Sequence, residues 1–280
     1  MSRGCPNRCA FCYNSSANRF HAVRPVADVL KDIKALGTCH VLFIDDNFIG
    51  SADHAKKLLH GLEDMRLVWS AAVTTAILDE PELLDFMALS GCQSLFIGLE
   101  SINQASLTDV NKHNRAERYG QVVDAIHSRG IMVNASMVFG LDGDGTDTFQ
   151  RTLDWLISLR VETLTSHILT PYPGTELYRR LDEAGRITDR DLEHYNTAHV
   201  VFKPKNMTAD ELHAGYLWMY REFYSLRSII RRYPKEIPQR KPYLLFNLLY
   251  RKYGALTSAL TRLMPMHALG KMAARFSYRV

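Results

Sequence analysis

The sequence predicts a parallel α/β barrel, whole or partial, followed by a mainly helical C-terminal extension. Three observations lead there. Between residues 35 and 170, short apolar runs alternate with longer amphipathic ones. The turn-rich stretch Pro171-Tyr172-Pro173-Gly174-Thr175 ends that alternation. Beyond it the pattern becomes helical and, from residue 221, strongly basic.

The expected strands are 41–45, 68–73, 94–100, 131–139 and 162–170, and the helices between them 52–65, 80–90, 116–129 and 146–159. Asp79 reads as a helix cap, and Gly91 and Gly130 as stops just past helix ends. Strand–helix alternation implies a parallel sheet with right-handed crossovers, and this many units favour a barrel over an open sheet. Further helices are expected at 176–184 and 208–232, the second with Thr208 as cap and Glu211 three residues on. Pro234, Pro238 and Pro242 then mark a linker before a basic, aromatic helical segment at 243–280.

The chain has 280 residues and a net charge of +4, unevenly spread. Residues 221–280 hold thirteen Lys and Arg against Glu222 and Glu236, a balance of +11; the first 220 hold 21 basic and 28 acidic residues, a balance of −7. No apolar run reaches the ~18–20 residues a membrane span needs, and none at the N-terminus resembles a secretory signal. A cytoplasmic protein is the expectation. Five cysteines, three of them within eight residues, argue against a disulfide framework and for thiolate chemistry.

Those three form Cys5-Pro6-Asn7-Arg8-Cys9-Ala10-Phe11-Cys12, with spacing C-x3-C-x2-C. Three thiolates on one tight loop suit a 4Fe–4S cluster with one iron left open. A zinc site or three buried thiols are the alternatives; zinc wants a fourth ligand, and none lies at finger-like spacing. Cys39 and Cys92, each beside an apolar strand, read as small core residues.

The loop resembles that of the radical S-adenosylmethionine superfamily. Ser2-Arg3-Gly4-Cys5-Pro6, Phe43-Ile44-Asp45-Asp46-Asn47-Phe48, Gly98-Leu99-Glu100-Ser101, Phe139-Gly140-Leu141 and Pro171-Tyr172-Pro173-Gly174-Thr175 follow one another. That order is similar to the branch of cobalamin-binding radical enzymes, with methylthiotransferases and coproporphyrinogen dehydrogenases as cousins. The likeness is strong over residues 2–184 and weak to about residue 232. It implies a (β/α)6 TIM-like radical barrel over 1–184 and a helical, basic extension over 185–280. The cysteine loop starts four residues from Met1, so the first barrel strand is expected to be missing through truncation.

By resemblance, Cys5, Cys9 and Cys12 hold the cluster and carry catalysis, and Phe11 packs near the adenine of S-adenosylmethionine. Asp45 and Asp46 would bind the cofactor's amino end, although either is also a good helix cap. Glu100 would bind its ribose hydroxyls or ammonium; a buried structural ion pair is the alternative. Asn134 and Ser136 share one strand face and are candidate cofactor contacts, or simply line a wet barrel interior. His167 is a candidate substrate contact or a core histidine. Gly140-Leu141-Asp142-Gly143-Asp144-Gly145 lacks a phosphate-loop signature and reads as a turn leading to cap residue Thr146.

The resemblance also implies a low-potential electron donor, flavodoxin or ferredoxin. The expected reaction is hydrogen abstraction from, or methylation of, an unactivated carbon of a hydrophobic lipid or tetrapyrrole-like substrate. Cobalamin would be a further cofactor, although its domain is absent from this chain. A methylthiotransferase-like enzyme and a non-catalytic electron-transfer module are the competing readings. Residues 243–280 are expected to touch a membrane surface peripherally, or to pack on the barrel; no nucleic-acid module is recognisable.

Overall fold

The computed structural model describes residues 1–14 and 20–263, with side chains described as far as Arg251. A two-stranded antiparallel pair, β1 (Ser2–Arg3) and β2 (Ala22–Val23), stands apart from the main sheet. That sheet is a five-stranded parallel half-barrel in sequential order: β3 (His40–Leu42), β4 (Val68–Val73), β5 (Cys92–Glu100), β6 (Met132–Phe139) and β7 (Thr163–Ile168). All five expected strands are present, each within a few residues of its expected bounds. Strands alternate along their length: Trp69, Ala71 and Val73 of β4 are buried, while Val68, Ser70 and Ala72 are half-buried on the other face.

The helices are α1 (Val26–Ala35), α2 (Ala52–Leu62), α3 (Pro81–Leu89), α4 (Gln104–Asp109), α5 (Tyr119–His127), α6 (Thr148–Ser158), α7 (Glu176–Glu183), α8 (Ala209–Phe223), α9 (Leu226–Arg231) and α10 (Ile237–Leu263). Helix α1 was not expected; it opens after Pro25 without a side-chain cap. Gly91 and Gly130 do end helices, at φ +90 and +73. Thr208 and Glu211 form a reciprocal capping box on α8. Asp79 caps nothing and instead pairs with Arg118 at 2.6 Å. The expected helix over 208–232 is broken at Ser225, whose hydroxyl accepts from Ser228 N–H and starts α9.

The expected proline linker is there only in part: Pro234 lies in the non-helical stretch 232–236, and the other two prolines are in helix. Pro238 falls in the first turn of α10, where a missing N–H costs nothing, and Pro242 is carried inside it. Residues 264–280 of the expected basic segment lie outside the described residues. Cys39 is exposed at the sheet edge rather than a core residue, whereas Cys92 is buried as expected.

Three features position the site. Phe43, Phe48 and Trp69 pack with ring centroids 5.1–5.5 Å apart, fixing the loop after β3 on β4. At the far edge, α8 seals β7. The Tyr224 hydroxyl accepts from Leu164 N–H at 3.1 Å and donates to Leu164 O at 3.0 Å; that of Tyr220 does the same for Ser166 at 2.8 and 3.0 Å. Behind β7, the buried guanidinium of Arg232 donates to the carbonyls of Val161, Glu162 and Phe223 at 2.7–2.9 Å. At the opposite edge, Leu42 and Ile44 are exposed.

Candidate active site

The cysteine loop enters from β1 through Gly4, whose φ of +79 needs glycine. It turns tightly, Cys12 N–H donating to Cys9 O at 3.1 Å. Ala10 N–H donates to Val110 O, and Ala10 O accepts from Leu177 N–H, so the loop is pinned between α4 and α7. Cys5, Cys9, Cys12, Phe11, Asp46 and Glu100 line one pocket. Among the described residues no three His, Cys, Asp or Glu side chains are grouped closely enough to hold a single metal ion. The thiols thus share a pocket without closing on one point.

Burial pushes the Cys9 thiol up to about 11, and the charges of Cys12, Glu100 and Cys5 add to it while Lys112 opposes. Burial also raises Cys5. Cys5 and Cys9, held in the same pocket as Cys12 at this cost of ionisation, suit a cationic iron cluster, which would reverse the penalty on the thiolate form.

The adjacent carboxylates both bind the start of the cysteine loop but take different residues of it. Asp46 accepts from Gly4 N–H at 3.2 Å and from the Asn14 amide at 2.6 Å, on the pocket side. Asp45 does not line the pocket. Its oxygens are taken by the Met1 ammonium at 3.1 Å, the Ser2 hydroxyl at 2.5 Å and the Ser2 N–H.

Glu100 sits at the C-terminal end of β5, at φ +67, just past a register shift between Gly98 and Glu100. The left-handed conformation is rare for a glutamate and re-aims its side chain into the pocket. The carbonyls freed by the shift are collected: Asn114 donates to Gly98 O at 2.8 Å, and the Tyr119 hydroxyl to Leu99 O at 2.6 Å. Ser136 Oγ reaches Glu100 Oε2 at 3.4 Å, touching the site through it. Asn134, two residues earlier on the same strand, does not line the cysteine pocket; its Oδ1 accepts from Thr165. His167 shares a hydrogen bond with Thr197 Oγ1 at 3.2 Å, and burial lowers its pKa while the charge of Glu100 opposes.

The pocket also holds a residue that sequence reading missed. Lys112 Nζ donates to Glu100 Oε1 at 2.9 Å, with both side chains about 10% exposed. Burial pulls the ammonium down, but Glu100, Cys9 and Cys12 outweigh it, and the pKa is raised overall. No local pattern marks a lone lysine in a polar stretch; only its spatial place reveals it. Gly98 gives the pair room, since a Cβ there would collide with Glu100 Oε1 and come within 3.0 Å of Lys112 Nζ. Phe96 and Thr74 complete the walls.

The model of the Radical SAM superfamily matches residues 1–156, more than half of the chain. The chain belongs to the radical S-adenosylmethionine superfamily. A domain family of unknown function, DUF4070, matches residues 175–247 of this radical SAM chain. Bacteriochlorophyllide d C-12(1)-methyltransferase of Chlorobaculum tepidum is 30% identical to it over 82% of the chain and 52% of the relative. Hopanoid C-2 methylase of Rhodopseudomonas palustris is 26% identical over 84% and 46%. The chain thus spans about half the length of these curated relatives. The cobalamin-dependent S-adenosylmethionine radical enzyme OxsB shares its fold, with TM-score 0.63 and 17% identity over 90% of this chain and 45% of that one. The expected partial barrel with a helical C-terminal part, and an enzyme of radical SAM type, follow from these relationships together.

Proposed function

We propose that this chain is the catalytic core of a radical SAM methyltransferase or hydrogen-abstracting enzyme, acting on an unactivated carbon of a hydrophobic, lipid or tetrapyrrole-like substrate. The observation that carries the reading is one pocket that gathers Cys5, Cys9 and Cys12 beside the buried Glu100–Lys112 pair. When bound, a 4Fe–4S cluster supplies the electron that cleaves S-adenosylmethionine to methionine and a 5′-deoxyadenosyl radical.

The chain's own residues prepare that chemistry. Cys5, Cys9 and Cys12 would hold the cluster as thiolates. Lys112 offsets the negative charge that gathers on Cys9 and Cys12. Glu100 offers a carboxylate oxygen for the cofactor's ammonium or ribose hydroxyls, and Asp46 holds the loop by Gly4 and Asn14. Phe11 and Phe96 provide apolar wall against which an adenine can pack. The methyl transfer named for the curated relatives supports the methylating version, and the cobalamin dependence named for the fold relative supports cobalamin as a further cofactor. A flavodoxin or ferredoxin would deliver the electron.

The test is anaerobic reconstitution with iron and sulfide, reduction, addition of S-adenosylmethionine and quantification of 5′-deoxyadenosine. The expected result is product from the reconstituted chain and none from a Cys5→Ala/Cys9→Ala/Cys12→Ala variant. Equal yields from the two would overturn the reading. Adding methylcobalamin and a tetrapyrrole or hopanoid acceptor then separates methylation from hydrogen abstraction.

A further inference from the structure

The last helix buries polar side chains and leaves large apolar ones in the open. The stripe of α10 that packs on the barrel is Gln239, Tyr243 and Asn247, spaced one turn apart. Gln239, 2% exposed, donates to Ile131 O at 2.8 Å. Asn247, fully buried, donates to Glu162 O at 3.2 Å and to Tyr243 O at 2.9 Å, and accepts from Arg232 at 3.2 Å. The opposite side of the same helix carries Ile237 at 74% exposure and Leu245 at 58%, with Leu248 and Leu249 also exposed. In α9, Ser228 and Ile229 are buried while Leu226 and Ile230, one turn apart, are exposed.

A surface helix ordinarily turns its apolar stripe inward and its polar one to water. Here the inward stripe is satisfied by hydrogen bonds, so the outward leucines are not waiting for the barrel. An exposed run of large apolar side chains of this kind marks an interaction surface.

The surrounding charge decides what covers it. Arg227, Arg231, Lys235, Lys241 and Arg251 are all exposed around these residues. Between residues 223 and 251 the sequence holds one acid, Glu236. Lysine is depleted at protein–protein interfaces, whereas leucines flanked by lysine and arginine match the boundary between anionic headgroups and acyl chains. No helix among the described residues is long and apolar enough to cross a membrane, so this face would lie on the bilayer rather than span it.

We propose that the outer face of α10, with Leu226 and Ile230 of α9, docks on an anionic phospholipid surface. The contact would bury Ile237, Leu245, Leu248 and Leu249 among acyl chains and set the lysines and arginines against the headgroups.

Co-sedimentation of the full chain with vesicles tests this. The chain should pellet with vesicles of phosphatidylcholine and phosphatidylserine, far less with phosphatidylcholine alone, and less as salt is raised. Leu245→Ser/Leu249→Ser should weaken partitioning roughly tenfold or more, because two leucines no longer enter the acyl region. Lys235→Glu/Lys241→Glu should reduce the preference for the anionic vesicles. All four positions are exposed, and an unchanged thermal unfolding midpoint would establish that the variants fold. Several results would overturn the proposal: no pelleting with either vesicle, equal binding by the leucine variant, or a vesicle-free dimer in sedimentation velocity that the leucine variant abolishes. Displacement from anionic vesicles by nucleic acid at equal charge, with the leucine variant unaffected, would also overturn it.

Discussion

Lys112 Nζ lies 2.9 Å from Glu100 Oε1, with both side chains almost wholly removed from water next to Cys9. Lys112→Met leaves a buried carboxylate without its partner, a loss of about 3–5 kcal/mol. The double variant Lys112→Met/Glu100→Gln should recover part of that, as a thermodynamic cycle from urea unfolding would reveal. Gly98→Ala should mimic the single variant by pushing Glu100 off the ammonium. The raised lysine fixes the pH dependence. Its contribution is present in full below the ordinary lysine range and is lost as pH climbs through the raised value.

Asp144 provides a second pH dependence, of opposite origin. Its buried carboxylate accepts from the Gly140 and Leu141 N–H groups at 2.9 and 3.0 Å, and its other oxygen has no partner among the described residues. Burial pushes it up to about 7 against those two hydrogen bonds. The folded chain therefore holds this proton more tightly than the unfolded one, and stability falls as pH rises from about 4 to about 7, then levels. Asp144→Asn should remove that slope and match or exceed the parent at about pH 8. Urea midpoints at about pH 5 and about pH 8 check it.

How far these residues were legible depended on whether their signal was local. The cysteine spacing, the period-two apolar strands, the capping box at Thr208 and the stops at Gly91 and Gly130 are written in neighbouring residues, and each could be read. Lys112 and Asp144 take their character from burial by distant elements, so nothing nearby announces them. Asp45 and Asp46 were legible as a pair, but which one faces the pocket depends on Ser2, which holds Asp45, and on Gly4, which holds Asp46. The prolines misled because Pro238 occupies the one part of a helix that tolerates it. Helix α1 was missed because Pro25 precedes it with no capping side chain.

Among the described residues Arg232 makes no salt bridge; it lies over the Phe223 ring at 3.6 Å, and burial lowers its pKa to about 10. Its planar fork serves carbonyls on three sides, a geometry an ammonium cannot reproduce. Arg232→Lys should cost about 3 kcal/mol or more through carbonyls left unsatisfied. Limited proteolysis should cut between α9 and α10 sooner in the variant than in the parent.

Tyr220→Phe and Tyr224→Phe each remove a hydroxyl that both donates to and accepts from one residue of β7. Each should destabilise by about 1–3 kcal/mol, because two buried backbone groups lose their partner. Hydrogen exchange should accelerate at the Ser166 amide in the first variant and at the Leu164 amide in the second. The reverse assignment would contradict the contacts.

Those hydroxyls also give the sheet a direction of growth. With Leu164 and Ser166 already bonded to tyrosines, and Ile168 N–H to Thr197 O, the β7 margin has little backbone to offer an incoming strand. The β3 margin has no such seal among the described residues, and it presents Leu42 and Ile44 outward. A strand recruited to this sheet, from the same polypeptide or another, would find the more open edge beside His40–Leu42. Recruitment there would extend the curl from the side that carries Asp45 and Asp46, next to the cysteine loop.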